Sequence, residues 1–285
     1  MTDRHPAQRL LELCTVRVEC DGTAEGTAFF VAPGYAMTAA HVVGGALGLS
    51  VVLRSEQGTW NGRVTNLWPP GNCEWTHVPD PYPPPDVALI GISDGPRHLC
   101  AFLARKRPRA GAEVMALGHG RHFARRDVVA VETESFTLTG ELSAGGAELT
   151  VLKLGHGQAS SGMSGAPVLD VGNGRVIGML RTSRDTHSNL GAWVVPAELI
   201  RRLLPDGVRA GAERFHQLDD RWRRALAKER PRSSQDDRPA GGLQIGSITI
   251  SAKEAGVVFG DVHGDVNMGG TGQGKQPRSR GPRGL

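Results

Sequence analysis

Three side chains in this sequence stand where nucleophilic acyl transfer would need them. His41 closes the apolar run TAAHV (38–42), Asp86 opens the apolar run DVALI (86–90), and Ser164 lies in the small-residue loop GQASSGMSGAP (157–167). A serine hydroxyl attacks a carbonyl efficiently when a base takes its proton, a buried carboxylate orients that base, and amide N–H groups receive the oxyanion. The separations are 45 and 78 residues, so only a tertiary fold can assemble the three. Taken singly, each also has an ordinary structural reading, as a core histidine, a strand-start carboxylate or a loop serine.

The elements that must position them read as short strands. Val16, Val18 and Cys20 alternate with Arg17 and Glu19, the period-2 pattern of a half-buried strand. Further strands are expected at 27–32, 35–38, 49–54, 63–67, 87–92, 113–117, 128–131, 136–138, 149–154, 168–169, 176–180 and 192–195. Gly, Pro, Asn and Asp turns separate them, and no helical stretch long enough for a parallel crossover intervenes. An antiparallel sandwich or barrel is therefore expected. Residues 68–85 hold seven prolines in 18 positions and read as an irregular loop. Pro196 starts a helix through Leu204, and a second helix is expected from about Val208 to Lys228, with Phe215, Leu218, Trp222 and Leu226 on one face.

Composition narrows the classes. The 285 residues include 39 glycines and 18 prolines, which suits turns and short strands and excludes a long coiled coil; a collagen and a membrane transporter are excluded as well. The net charge of +4 is unevenly placed: residues 1–200 sum to −2 and residues 201–285 to +6. No recognition motif accompanies the basic part, so specific nucleic-acid binding is not expected. Cys14, Cys20, Cys73 and Cys100 form no CxxC pair, and the amino terminus lacks the apolar run of a secretory signal, so free thiols in a reducing cytoplasm are expected. Thr27–Leu53 carries no Asp, Glu, Lys or Arg, but Pro33, Gly34, Gly44, Gly45 and Gly48 break it into buried strands rather than a membrane span. His119 and His122 have a spacing that a metal would tolerate, yet nothing completes the set, and they are assigned to a loop; no metal or cofactor is expected.

The three motifs in the order His, Asp, Ser resemble those of the chymotrypsin-like (trypsin-fold) serine peptidases, over about residues 10–204. The resemblance implies two six-stranded antiparallel β-barrels in an all-β fold with a carboxy-terminal helix; the sequence beyond it reads as a helical extension and a largely disordered tail. It makes His41 the general base and acid, Asp86 the acceptor of the His41 Nδ1–H, and Ser164 the nucleophile. The amides of Gly162 and Ser164 become the oxyanion hole, and Arg181, Thr182 and Ser183 a substrate-facing wall. Two departures matter. Met163 stands where digestive members carry the aspartate of the zymogen switch, so the chain resembles bacterial intracellular members lacking it. Gln158 stands six residues before Ser164, where members cutting after Lys or Arg carry Asp. His156 either binds an acidic or amide side chain of the substrate or is simply an exposed loop histidine.

The organisation expected is a peptidase domain at 10–204, a helical extension at 205–229, a linker at 230–242 and a glycine-rich tail at 243–285. Within 243–268 the sequence alternates as strands do and repeats Gly-Asp-Val at Gly260 and Gly264. It is similar to the adhesive, amyloid-like motifs of some bacterial immune and signalling proteins; an unstructured tail or an edge hairpin is the other reading. The function expected is a cytoplasmic bacterial serine endopeptidase, a signalling or defence effector whose tail recruits a partner or drives self-assembly. The alternative is a catalytically silent scaffold of the same fold acting as a binding adaptor.

Overall fold

Alternation of exposed and buried residues along single strands is the local cause of the architecture. In the strand Gly58–Trp68, Trp60, Gly62 and Val64 point inward while Thr59, Asn61, Arg63 and Thr65 face water. A register shift between Val64 and Asn66 then moves the inward phase to Leu67, as an inserted bulge residue must. The computed structural model describes residues 6–70, 84–120, 130–143, 150–183 and 191–227. The chain divides into two units, Met1–Arg232 and Ser233–Leu285; the second, with the linker, the tail and the expected 243–268 motif, lies outside the described residues.

The first unit contains two closed six-stranded antiparallel barrels. The first comprises β1 (Thr15–Cys20), β2 (Thr23–Ala32), β3 (Tyr35–Thr38), β4 (Ser50–Ser55), β5 (Gly58–Trp68) and β6 (Val87–Asp94), in the order β1-β2-β3-β6-β5-β4. The second comprises β7 (Glu113–Gly118), β8 (Glu132–Ser143), β9 (Thr150–Gly155), β10 (Pro167–Asp170), β11 (Arg175–Ser183) and β12 (Ala192–Pro196), in the order β10-β11-β12-β9-β8-β7. Closure pairs every strand on both sides and leaves no open edge. The expected strand at 128–131 is not formed where it is described: Ala130 and Val131 precede β8, and residues 128–129 lie outside the described residues.

Four α-helices occur among the described residues: α1 (Pro6–Glu12), α2 (Ala197–Leu203), α3 (Asp206–Leu218) and α4 (Arg221–Ala227). The helix expected over 208–228 is two helices. Asp219 and Asp220 break it, and the Asp219 carboxylate accepts the Arg221 N–H at 2.9 Å, starting a new helix as an N-cap does. The break separates two residues expected on one face: Leu218 is 80% exposed, whereas Trp222 is fully buried.

Trp222 is buried because the helices lock the segment joining the barrels. Ala101 N–H donates to Phe30 O of β2 and Val176 N–H of β11 donates to Phe102 O. His216 Nε2 lies 3.1 Å from Ala101 O, and Trp222 Nε1–H donates to Cys100 O at 2.8 Å. Replacing this indole, 1% exposed, opens a large void and strands the Cys100 carbonyl. Trp222→Ala should lower stability by about 3–5 kcal/mol, read as a shift of the urea midpoint at unchanged slope; a midpoint within error of wild type would mean that α4 is peripheral.

Candidate active site

Strand register brings His41 and Asp86 together. β3 pairs antiparallel with β6, setting Thr38 opposite Ala88 and Met37 opposite Leu89. Continued past the strand ends, that register puts Ala40 opposite Asp86, and Ala40 N–H donates to Asp86 O at 3.3 Å. A 3₁₀ turn, Ala40–Val43, closed by Gly44 in the left-handed region at φ 58°, then presents His41. The sequence spacing therefore becomes a side-chain contact through one hairpin-like pairing.

The carboxylate of Asp86, 1% exposed, collects three donors. His41 N–H reaches Oδ1 at 3.1 Å, His41 Nδ1–H reaches Oδ2 at 2.8 Å, and Arg181 Nε–H reaches Oδ2 at 3.2 Å. With Nδ1 donating to the acid, the neutral imidazole carries its lone pair on Nε2, the atom that can take a proton. Asp86 itself sits at φ 58°, a conformation that Asp tolerates better than most residues and that turns its side chain back toward the 3₁₀ turn.

Arg181 is the partner that the sequence did not announce. Along β11 the register to β12 shifts between Leu180 and Thr182, so Arg181 is the bulged residue. The bulge aims its side chain into the interior, 5% exposed and against Asp86. Its Nη2 has no partner among the described residues. Thr182 and Ser183, grouped with it by resemblance, continue β11 opposite Trp193 and Ala192. Gln158 and His156 are both exposed on the serine loop, with His156 at φ 58°.

The serine loop uses its amides selectively. Met163 N–H donates to Ser160 O at 3.1 Å, Gly165 N–H to Leu180 O at 2.8 Å, and Ala166 N–H to Met163 O at 2.9 Å. The intervening amides of Gly162 and Ser164 donate to nothing among the described residues. Gly162 lies at φ 96°, where a side chain would be strained. A Cβ on Gly26 would sit within 2.7 Å of Val42 Cγ2 and 3.0 Å of Ser164 O, so the residue after His41 and the serine backbone flank the same point. No hydrogen bond joins Ser164 Oγ to His41 among the described residues; such bonds are commonly long before substrate arrives.

His122 lies outside the described residues; His119 follows β7 on a loop, as expected, and is 5% exposed. Its N–H donates to Thr27 Oγ1 and its Nδ1 lies 2.8 Å from Ala130 O, both at 2.8 Å, while Nε2 is buried without a partner among the described residues. Burial, aided by the nearby positive charge of Arg17, pushes its pKa down to about 4. The unfolded chain therefore binds this proton more readily, and stability falls as pH drops from about 6.5 towards 4, by about 3 kcal/mol in all. His98 and His216 are lowered by burial as well and act in the same direction. Urea midpoints across this window should flatten in His119→Gln; a profile identical to wild type would remove His119 as a source of the slope.

Among the described residues, Cys14, Cys20 and Cys100 are free thiols, and burial raises the pKa of each, that of Cys20 to about 11. No group of three or more His, Cys, Asp or Glu able to hold a metal ion occurs among the described residues. No described helix is long and apolar enough to cross a membrane.

Residues 26–179, more than half of the chain, match the trypsin-like peptidase domain family, and the chain belongs to that family. Solved structures agree on the fold. An inactive form of Rv3671c from M. tuberculosis H37Rv is 19% identical, covering 75% of this chain and 93% of its own, with a TM-score of 0.53. The HtrA-type protease AlgW, solved with a decapeptide, is 14% identical over 69% of this chain and 65% of its own, at 0.53. A serine endoprotease from Yersinia pestis is 16% identical over 74% and 68%, also at 0.53. At these identities the likeness is one of fold. No curated protein matches the chain.

Proposed function

We propose that this chain is a serine endopeptidase in which His41, Asp86 and Ser164 act together. The observation that carries the reading is a histidine held at both its backbone and its Nδ1 by one buried carboxylate, beside a serine loop with two amides that donate to nothing among the described residues. Ser164 Oγ attacks the peptide carbonyl as His41 Nε2 takes its proton. The developing oxyanion receives the N–H groups of Gly162 and Ser164. The tetrahedral species collapses, the C–N bond breaks, and the imidazolium gives its proton to the leaving amine. Water, deprotonated by the same imidazole, then hydrolyses the acyl-enzyme. Gln158 and His156 are exposed at the approach to this loop and are the side chains proposed, with Thr182 and Ser183, to meet the substrate.

Substrates in this reading are proteins or peptides in a bacterial cytoplasm. The effector role and recruitment through residues 243–268 rest on the sequence motifs alone. The alternative is a catalytically silent scaffold of the same fold acting as a binding adaptor. Fluorophosphonate labelling separates the two. An adduct mapped by mass to the peptide containing Ser164 is expected, and an unlabelled wild-type protein would leave the adaptor reading standing.

A further inference from the structure

A single residue of the first barrel holds the backbone of the serine loop in the second. We propose that Thr27, on β2, is the positioning residue of the oxyanion loop; the catalytic half of this inference rests on the serine-peptidase reading. Thr27 is fully buried and makes four hydrogen bonds that converge on the site. Its N–H donates to Ser164 O at 2.9 Å and its Oγ1–H donates to Gly162 O at 2.8 Å. Its Oγ1 accepts the His119 N–H at 2.8 Å, and its carbonyl accepts Thr38 Oγ1–H at 2.6 Å.

The two carbonyls that Thr27 pins belong to Gly162 and Ser164, the same residues whose amides donate to nothing among the described residues. A peptide unit is planar, so fixing a carbonyl fixes the whole unit. Pinning Gly162 O sets the plane shared with Met163, and pinning Ser164 O sets the plane shared with Gly165. The plane that carries Ser164 N–H lies between these two, and Gly162 N–H adjoins the first. The hydroxyl has one proton to give; accepting from His119 N–H leaves that proton for Gly162 O and polarises the pair of bonds in one direction. Thr38, the last residue of β3 and three residues before His41 in the 3₁₀ turn that follows, completes the connection from base to nucleophile loop.

Thr27→Val keeps volume and branching but removes the hydroxyl, leaving Gly162 O and His119 N–H buried without a partner; Thr27→Ser keeps the hydroxyl. In the full chain, kcat on a peptide substrate should fall about 10²-fold in Thr27→Val, the scale of a small misplacement, with KM little changed, while Thr27→Ser returns close to wild type. Backbone amide resonances of Gly162, Met163 and Ser164 should shift and broaden in Thr27→Val only. Wild-type kcat in Thr27→Val, unchanged loop resonances, or equal damage in Thr27→Ser would each overturn the proposal. If Thr27→Val does not fold, Thr27→Cys, of similar volume and with only a weak donor, takes its place under the same criteria. A wild-type protein that a fluorophosphonate does not label refutes the peptidase reading, while the resonance comparison still decides the clamp.

Discussion

Replacing Asp86 by Asn should lower kcat about 10⁴-fold and, unlike most active-site changes, also cost about 3–5 kcal/mol of stability. Both effects follow from counting donors. Three N–H groups, two from His41 and one from Arg181, converge on the two carboxylate oxygens. An amide offers one oxygen and presents an NH₂ group in place of the other, so at least one donor faces a donor. If the imidazole turns its lone pair to that NH₂, the proton moves to Nε2, where it blocks the base. The stability loss has a different origin: Arg181 is buried, and the exchange removes the anion beside it. Arg181→Leu added to Asp86→Asn should restore much of the stability and none of the rate. A double-mutant cycle in urea, paired with kcat for each variant, measures this directly. Strictly additive stability losses would mean that Arg181 does not depend on Asp86, and an Asn variant with wild-type kcat would remove Asp86 from proton handling.

How much of this site was legible in the sequence depends on how local its causes are. His41 and Asp86 were readable because two adjacent strands in simple antiparallel register carry them, and each motif includes its own strand. The Ser164 loop was readable because close backbone packing demands small residues there. Arg181 was assigned to a substrate wall by resemblance, and nothing in RTS (181–183) indicates the bulge that turns its side chain inward. Thr27 looked like one more strand residue, because its role exists only once the barrels face each other. The same limit explains the helices. The seven residues of α1 are too few for a clear period, and the break at Asp219–Asp220 follows from a capping carboxylate inside a stretch that otherwise reads as one helix.

Gly165→Ala should be among the most damaging single methyl additions in the molecule. A Cβ there would lie 1.9 Å from Thr27 O and 2.5 Å from Thr38 Oγ1, and the residue sits at φ 88°. The nearest atom is backbone, so no side-chain rotation relieves the clash. Either Thr27 moves, taking with it the bonds to Gly162 O and Ser164 O, or the loop withdraws and Gly165 N–H leaves Leu180 O. The backbone strain alone is worth about 1–3 kcal/mol, and with the steric displacement the loss should exceed about 4 kcal/mol. Gly207→Ala is the matched control. Gly207 lies in α3 with nothing within 4 Å of a new Cβ, and alanine there should stabilise by about 0.5–1 kcal/mol. At Gly165 the backbone strain and the contact between β2 and the serine loop act together, and neither acts at Gly207, so opposite signs are expected. Melting of both variants side by side, with fluorophosphonate labelling rates for the folded fraction, tests the contact. A Gly165→Ala protein that melts and labels like wild type would show that the barrels do not approach each other at Thr27.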